Sequence, residues 1–168
     1  GDRVYLAGSV SGTYAEYALC LESQVYPLPD ALSYSEGAGI AIPYATAHRA
    51  LFARGQTQYQ DWVLVHGASG GVGIAALQLC RAAGFRTIGT AGSDEGLALV
   101  REHGADHAVN HHDEKHLDRC REITGGHGID VVLEMLANVN LGKVLPYLAV
   151  DGRVVVIGSR GPVEIDAR

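Results

Sequence analysis

At 168 residues, 47% of them hydrophobic and 19% charged, the chain is long enough for one sizeable buried core with a small appendage. A formal net charge of -6 argues against a nucleic-acid scaffold that works by bulk electrostatics. No apolar run approaches the roughly 18–20 residues of a membrane span, no charged-then-apolar amino terminus signals secretion, and Cys20, Cys80 and Cys120 are too scattered for a cysteine-built zinc site, reading instead as reduced cytosolic thiols.

In chain order, 4–7 and 14–19 read as short strands separated by turns at Gly8 and Ser11-Gly12-Thr13. Pro27 and Pro29 then break the pattern. Ser33 and Glu36 form a capping box that starts a small-residue helix running to about Ile42. Pro43 interrupts it, and a helical pattern resumes over 44–54 up to Gly55. From Asp61 the alternation is regular: strand 62–66, helix 72–83 ended by Gly84, strand 85–90, helix 94–103 capped by Ser93 and stopped by Gly104, strand 105–110, helix 115–124, strand 129–134, helix 140–148 and strand 154–158. Strands alternating with helices in this way predict a parallel sheet covered on both faces, in the doubly wound order 3-2-1-4-5. Both ends read as cut. Residues 1–5 enter a strand without a partner, and 161–168 stop where such a sheet would continue, so the expectation is a piece of a longer polypeptide.

The functional signal lies in Val63-Leu64-Val65-His66-Gly67-Ala68-Ser69-Gly70-Gly71-Val72-Gly73: an apolar strand, a glycine-rich turn and a helix opening. Such a turn brings backbone N–H groups close to a pyrophosphate, and the positive end of the helix dipole favours its charge, so a dinucleotide is expected. The spacing of Gly67, Gly70 and Gly73 is GxxGxxG, with an overlapping GxG at Gly71 and Gly73; a tight turn without ligand is the alternative. In open α/β sheets ligands lie beyond the carboxyl ends of the strands, which points to 66–73, 89–94, 110–112, 134–140 and 157–160. The second strand ends Thr90-Ala91-Gly92-Ser93, with no carboxylate at its tip to accept the ribose hydroxyls of NAD or repel a 2′-phosphate, which favours NADPH. Asp94 comes later, at a helix start, where it complements the dipole. His111 and His112 fall near the adenosine end. His112 and His116 are four apart, but Glu114 is misplaced for HExxH and no third ligand is evident, so a solvated loop stands beside the metal reading. Asn138 and Asn140 begin the next helix, where capping accounts for one of them and a nicotinamide contact is open to the other. Ser159-Arg160 is either a solvated exit or a cofactor clamp.

Together GDRV, GTYAEYA, IPYATAHRALF, VLVHGASGGVG, GTAGSDEG, NHHDE, GIDVVLEMLANVNL and GRVVVIGSRG resemble the medium-chain dehydrogenase/reductase superfamily, and within it the zeta-crystallin-like NADPH:quinone reductases. The resemblance runs through essentially the whole chain, and ASGGVG, EMLANVN and VIGSRG are specific to that branch. It implies an α/β, doubly wound Rossmann fold over 38–168, incomplete at its carboxyl end, with 1–37 the tail of a GroES-like β-rich catalytic domain. It also implies zinc-independent reduction of ortho- or para-quinones by NADPH, by hydride or by single electrons, in a cytoplasmic dimer or tetramer with no metal and no membrane. The alternative it carries is a protein that binds AU-rich messenger RNA, or a structural crystallin, with a regulatory NADPH site. Position by position, Ser69, Gly70, Gly71 and Val72 resemble the pyrophosphate loop, Gly92 a position near the adenosine phosphate, and His111 an adenosine contact. Asn140 and the run Ile157, Gly158, Ser159 and Arg160 resemble contacts after the fourth and fifth strands, and Thr46 lies on the helix resembling the one that faces the nicotinamide. No catalytic acid or base is assigned, because the family's substrate-side tyrosine precedes this stretch and its closing loop follows it. Tyr44 and His48 lie on the hinge helix, where packing explains them as well.

Overall fold

Residues 1–166 are described by the computed structural model, in two units, Gly1–Ala45 and Thr46–Arg168. In the first, β1 (Val4–Leu6) pairs antiparallel with β2 (Val25–Pro27), Val4 facing Pro27. Proline is tolerated there because it closes an edge strand that asks for no further donor. The expected strand at 14–19 is absent. Ser11 draws this stretch into a loop instead: its Oγ accepts the Leu19 N–H at 2.8 Å and the Val10 N–H donates to the Leu19 carbonyl at 2.8 Å. Among the described residues the stretch has no neighbouring strand to complete a ladder, and Tyr14 and Tyr17 are exposed. The capping box forms as expected at α1 (Tyr34–Ala38): the Glu36 N–H donates to Ser33 Oγ and the Ser33 N–H to Glu36 Oε2.

Pro43 does not interrupt a helix. It sits in the first turn of α2 (Ala41–His48), where backbone N–H groups have no intrahelical partner to lose. The helical pattern to Gly55 changes character at Arg49–Arg54, which is π-helical, the Gly55 N–H donating to the Ala50 carbonyl at 2.7 Å.

The second unit holds β3 (Trp62–Val65), α3 (Gly71–Ala83), β4 (Arg86–Ala91), α4 (Asp94–Glu102), β5 (His107–Asn110), α5 (His116–Ile123), β6 (Ile129–Glu134), α6 (Ala137–Val144) and β7 (Leu148–Val156). Its five strands are parallel in the order β5-β4-β3-β6-β7, the doubly wound order read from the sequence. Leu64 lies beside Ile88 on β4 and Val132 on β6, and Leu117, Cys120 and Val144 complete the cluster around them. Full burial of a side chain such as Leu64 contributes about 1.5–3 kcal/mol. Gly84 ends α3 in the left-handed region, φ 75°, where the missing Cβ removes the penalty.

The last helix and strand differ from expectation. α6 starts at Ala137 rather than 140 and passes at Val144 into a single 3-10 turn, Leu145–Tyr147, built on Pro146. β7 begins at Leu148 because the Asp151-Gly152 turn is a bulge within the strand, with Asp151 at φ 61°. Among the described residues no helix is long and apolar enough to cross a membrane.

Candidate functional site

The carboxyl ends of β3 and β4 are tied together before the glycine turn begins. The Ala68 N–H donates to the Thr90 carbonyl at 2.8 Å and the Gly67 N–H to Thr90 Oγ1 at 3.2 Å, with Gly67 at φ 59°. Gly70 is the cap of α3, extended at φ −82°, ψ 167°, and offers no side-chain acceptor to the first turn. The positive helix end is therefore open to an external anion. Gly73 brings helix and turn into contact: a Cβ there would stand 2.5 Å from Ala68 Cα and 2.6 Å from its carbonyl oxygen. A cap without a side chain, a turn fixed to the neighbouring strand and a helix pressed against it fit a diphosphate-bearing ligand.

Gly92, His111 and His112 come together after β4 and β5. A Cβ on Gly92 would lie 2.7 Å from Nε2 of each histidine, and the two rings meet edge to face at 4.8 Å. Burial, then the neighbouring His112, His116 and His66, hold the His111 imidazole below its ordinary pKa. His111 and His112, with Thr90 and Asn140, line a pocket of about 340 Å³ over the ends of β3, β4 and β6. Among the described residues, no three His, Cys, Asp or Glu side chains gather closely enough to hold a metal ion.

Neither asparagine caps α6, because the helix begins at Ala137 behind Leu136. Asn138 Oδ1 instead accepts the Arg160 N–H at 2.9 Å and the Ser159 hydroxyl at 3.4 Å, fastening the segment after β7 to α6. The Gly158 carbonyl accepts the Ala137 N–H at 2.9 Å, and a Cβ on Gly158 would meet the Met135 carbonyl at 2.6 Å. Thr46 and Ile157 line a separate pocket of about 240 Å³ with Arg49, Arg54 and Val155. The expected residues thus fall into the turn at 69–72, a pocket holding His111 and Asn140 beside Gly92, and a second pocket holding Thr46 and Ile157.

The sequence reading missed a buried polar pair. His66 Nδ1 donates to Glu134 Oε2, and the side chains are 5% and 0% exposed. Glu134 Oε1 accepts the Leu136 N–H at 2.6 Å and the Asn140 amide at 3.1 Å. Burial alone would raise the Glu134 carboxyl; the His66 hydrogen bond and charge, then the Leu136 and Asn140 donors, more than offset it and hold the group below the usual carboxylate range. His66 Nε2 also lies buried, with no hydrogen-bond partner. Period-two alternation was the available signal. His66 follows Leu64 and Glu134 follows Val132 on the same face of adjacent strands, so the doubly wound order alone puts them side by side.

The model of the family described as zinc-binding dehydrogenase matches residues 71–168. A human protein named quinone oxidoreductase is 49% identical over 168 residues, all of this chain and 51% of its own length. Quinone oxidoreductase from Escherichia coli, complexed with NADPH, superposes with a TM-score of 0.82 at 29% identity, over 98% of this chain and 52% of its own. The quinone oxidoreductase of Thermus thermophilus, solved alone and with NADPH, gives 0.79 at 33% identity over 92% of this chain and 50% of its own. The chain spans about half the length of the curated relatives it matches.

Proposed function

The chain belongs to the zinc-binding dehydrogenase family, in the medium-chain dehydrogenase/reductase superfamily, and on that footing we propose that it is the NADPH-binding part of a quinone reductase. The observation that carries the reading is the amino terminus of α3, capped by Gly70 without a side chain and pressed by Gly73 onto Ala68. The Escherichia coli and Thermus relatives, complexed with NADPH, support it.

In this reading Ser69, Gly70, Gly71 and Val72 hold the diphosphate. Gly92 and His111 serve the adenosine end, Asn140 borders the same pocket as His111, and Ile157, Gly158, Ser159, Arg160 and Thr46 serve the nicotinamide end. The tip of β4, free of carboxylate from Thr90 to Ser93, admits a 2′-phosphate. NADPH supplies the reducing equivalents to the quinone. The chain's own residues bind, orient and exclude water, which is the larger part of what such a transfer asks of a protein. Ser159 and Arg160 are held in place for this by Asn138. Residues 1–37 are the tail of a catalytic domain, 38–168 belong to the dinucleotide-binding domain, and the whole protein is a cytoplasmic homo-oligomer.

The test is oxidation of NADPH by the full-length protein against an ortho-quinone and an enone, beside competition with AU-rich RNA. Quinone-dependent oxidation faster with NADPH than NADH supports the reading. RNA binding without NADPH oxidation would replace it with the RNA-binding alternative.

A further inference from the structure

The His66–Glu134 pair has no task in the function proposed above, and its geometry asks for one. Both Glu134 oxygens are engaged: Oε2 accepts from His66 Nδ1, and Oε1 accepts from Leu136 and Asn140. The imidazole is therefore locked in one orientation, its Nε2 left buried without a partner. His66 lines the pocket of about 340 Å³ that Thr90, His111, His112, Asn140 and Lys143 also border. A ring nitrogen this deep is rarely left unsatisfied, and the pocket is where a partner for it can enter.

We propose that His66 is a ligand-binding residue whose Nε2 hydrogen-bonds the adenosine half of the dinucleotide, and that Glu134 is a positioning residue that aims it. The proposal rests on the dinucleotide reading. The adenosine half is assigned because the pocket is walled by Thr90 near the end of β4 and by His111 and His112 after β5. In a doubly wound sheet that side of the glycine turn takes the adenosine ribose. A purine edge and a ribose carry both donors and acceptors, so either suits an imidazole nitrogen.

His66→Asn separates this role from a structural one. The asparagine amide nitrogen takes the place of Nδ1 and keeps the bond to Glu134, while Nε2 is deleted. Binding of 2′,5′-ADP, 5′-ADP and nicotinamide mononucleotide to the full chain is measured by calorimetry. The His66 Nε2 nitrogen resonance is followed by NMR in the unaltered chain. The expected results are 2′,5′-ADP binding roughly ten-fold weaker in His66→Asn, nicotinamide mononucleotide binding unchanged, and an Nε2 resonance that moves when 2′,5′-ADP is added. An equal loss for 5′-ADP assigns the contact to the base or ribose; a loss confined to 2′,5′-ADP assigns it to the 2′-phosphate. Unchanged affinity with a static Nε2 resonance overturns the proposal and leaves the NADPH reading standing. A resonance moved only by nicotinamide mononucleotide overturns the adenosine assignment. No binding of NADPH or 2′,5′-ADP to the unaltered chain overturns both. Should His66→Asn melt early, the Nε2 resonance alone decides.

Discussion

Two glycines three residues apart in one turn should fail in opposite ways. Gly70 is extended at φ −82°, ψ 167°, a conformation open to any residue, and a Cβ there meets only the Gly67 carbonyl oxygen at 3.4 Å. Gly70→Val should fold, with its branched side chain standing at the uncapped end of α3. Losing one charge-assisted hydrogen bond to a phosphate costs about 1.5–3 kcal/mol, and a weakened helix-end attraction adds about 0.3–1 kcal/mol. At roughly 1.4 kcal/mol per decade, NADPH should bind more than ten-fold weaker. Gly73→Ala is the converse, because its Cβ would fall 2.5–2.7 Å from backbone atoms of Ala68, which have nowhere to go. Overpacking of this kind costs about 1–3 kcal/mol or more, which at about 2–4 °C per kcal/mol lowers Tm measurably. Calorimetry and thermal melting of both variants provide the check. A folded Gly70→Val with wild-type NADPH affinity would refute the phosphate assignment, and an unchanged Tm in Gly73→Ala would refute the packing argument.

Gly92→Ala should displace imidazoles rather than backbone, since its Cβ would lie 2.7 Å from Nε2 of His111 and of His112; the melting point should hold while 2′,5′-ADP affinity drops, and an unaltered affinity would contradict the adenosine assignment. Glu134→Leu strands His66, the Leu136 N–H and the Asn140 amide, so it should lower stability by about 3–5 kcal/mol in denaturant titration. Because the Glu134 carboxyl is held below its ordinary value of 4.5, its contribution is complete above that pH and is lost as pH falls through the folded-state value. The gap between wild type and Glu134→Leu should therefore narrow in acid, and a gap constant down to strong acid would contradict a carboxylate stabilised by these hydrogen bonds. Burial pushes the Cys80 and Cys120 thiols up to about 12, with the Asp106 charge adding to the effect at Cys80. Only Cys20, which is half-buried, should react with a thiol reagent in the native chain at about pH 8; rapid reaction of all three would contradict the burial.

The parallel sheet was legible because its strands carry their own signals. Trp62-Val63-Leu64-Val65 is apolar throughout, and Gly84 and Ser93 punctuate the helices beside it. Ser33 and Glu36 announced their capping box for the same reason, the information being local. What failed was information that depends on neighbours. Residues 14–19 read as a strand between turns but have no strand to pair with among the described residues, and Ser11 closes the loop instead. Pro43 reads as a breaker until its position in the first turn of α2 is known. The asparagines of α6 read as caps when the helix is taken to start at residue 140, whereas it starts at Ala137 behind Leu136. The His66–Glu134 pair was in principle readable: two polar residues end two apolar strands that the predicted order makes adjacent. The glycine motif lies in the residues after His66, and the pair itself joins residues 68 positions apart, so no local pattern marks it.

The claim on which the account depends is that the turn after β3 holds the diphosphate of NADPH. Calorimetric titration of the folded full chain with NADPH, and separately with NADH, tests it most directly. The account predicts saturable one-to-one binding, tighter for the phosphorylated coenzyme. A folded sample that takes up neither would contradict it.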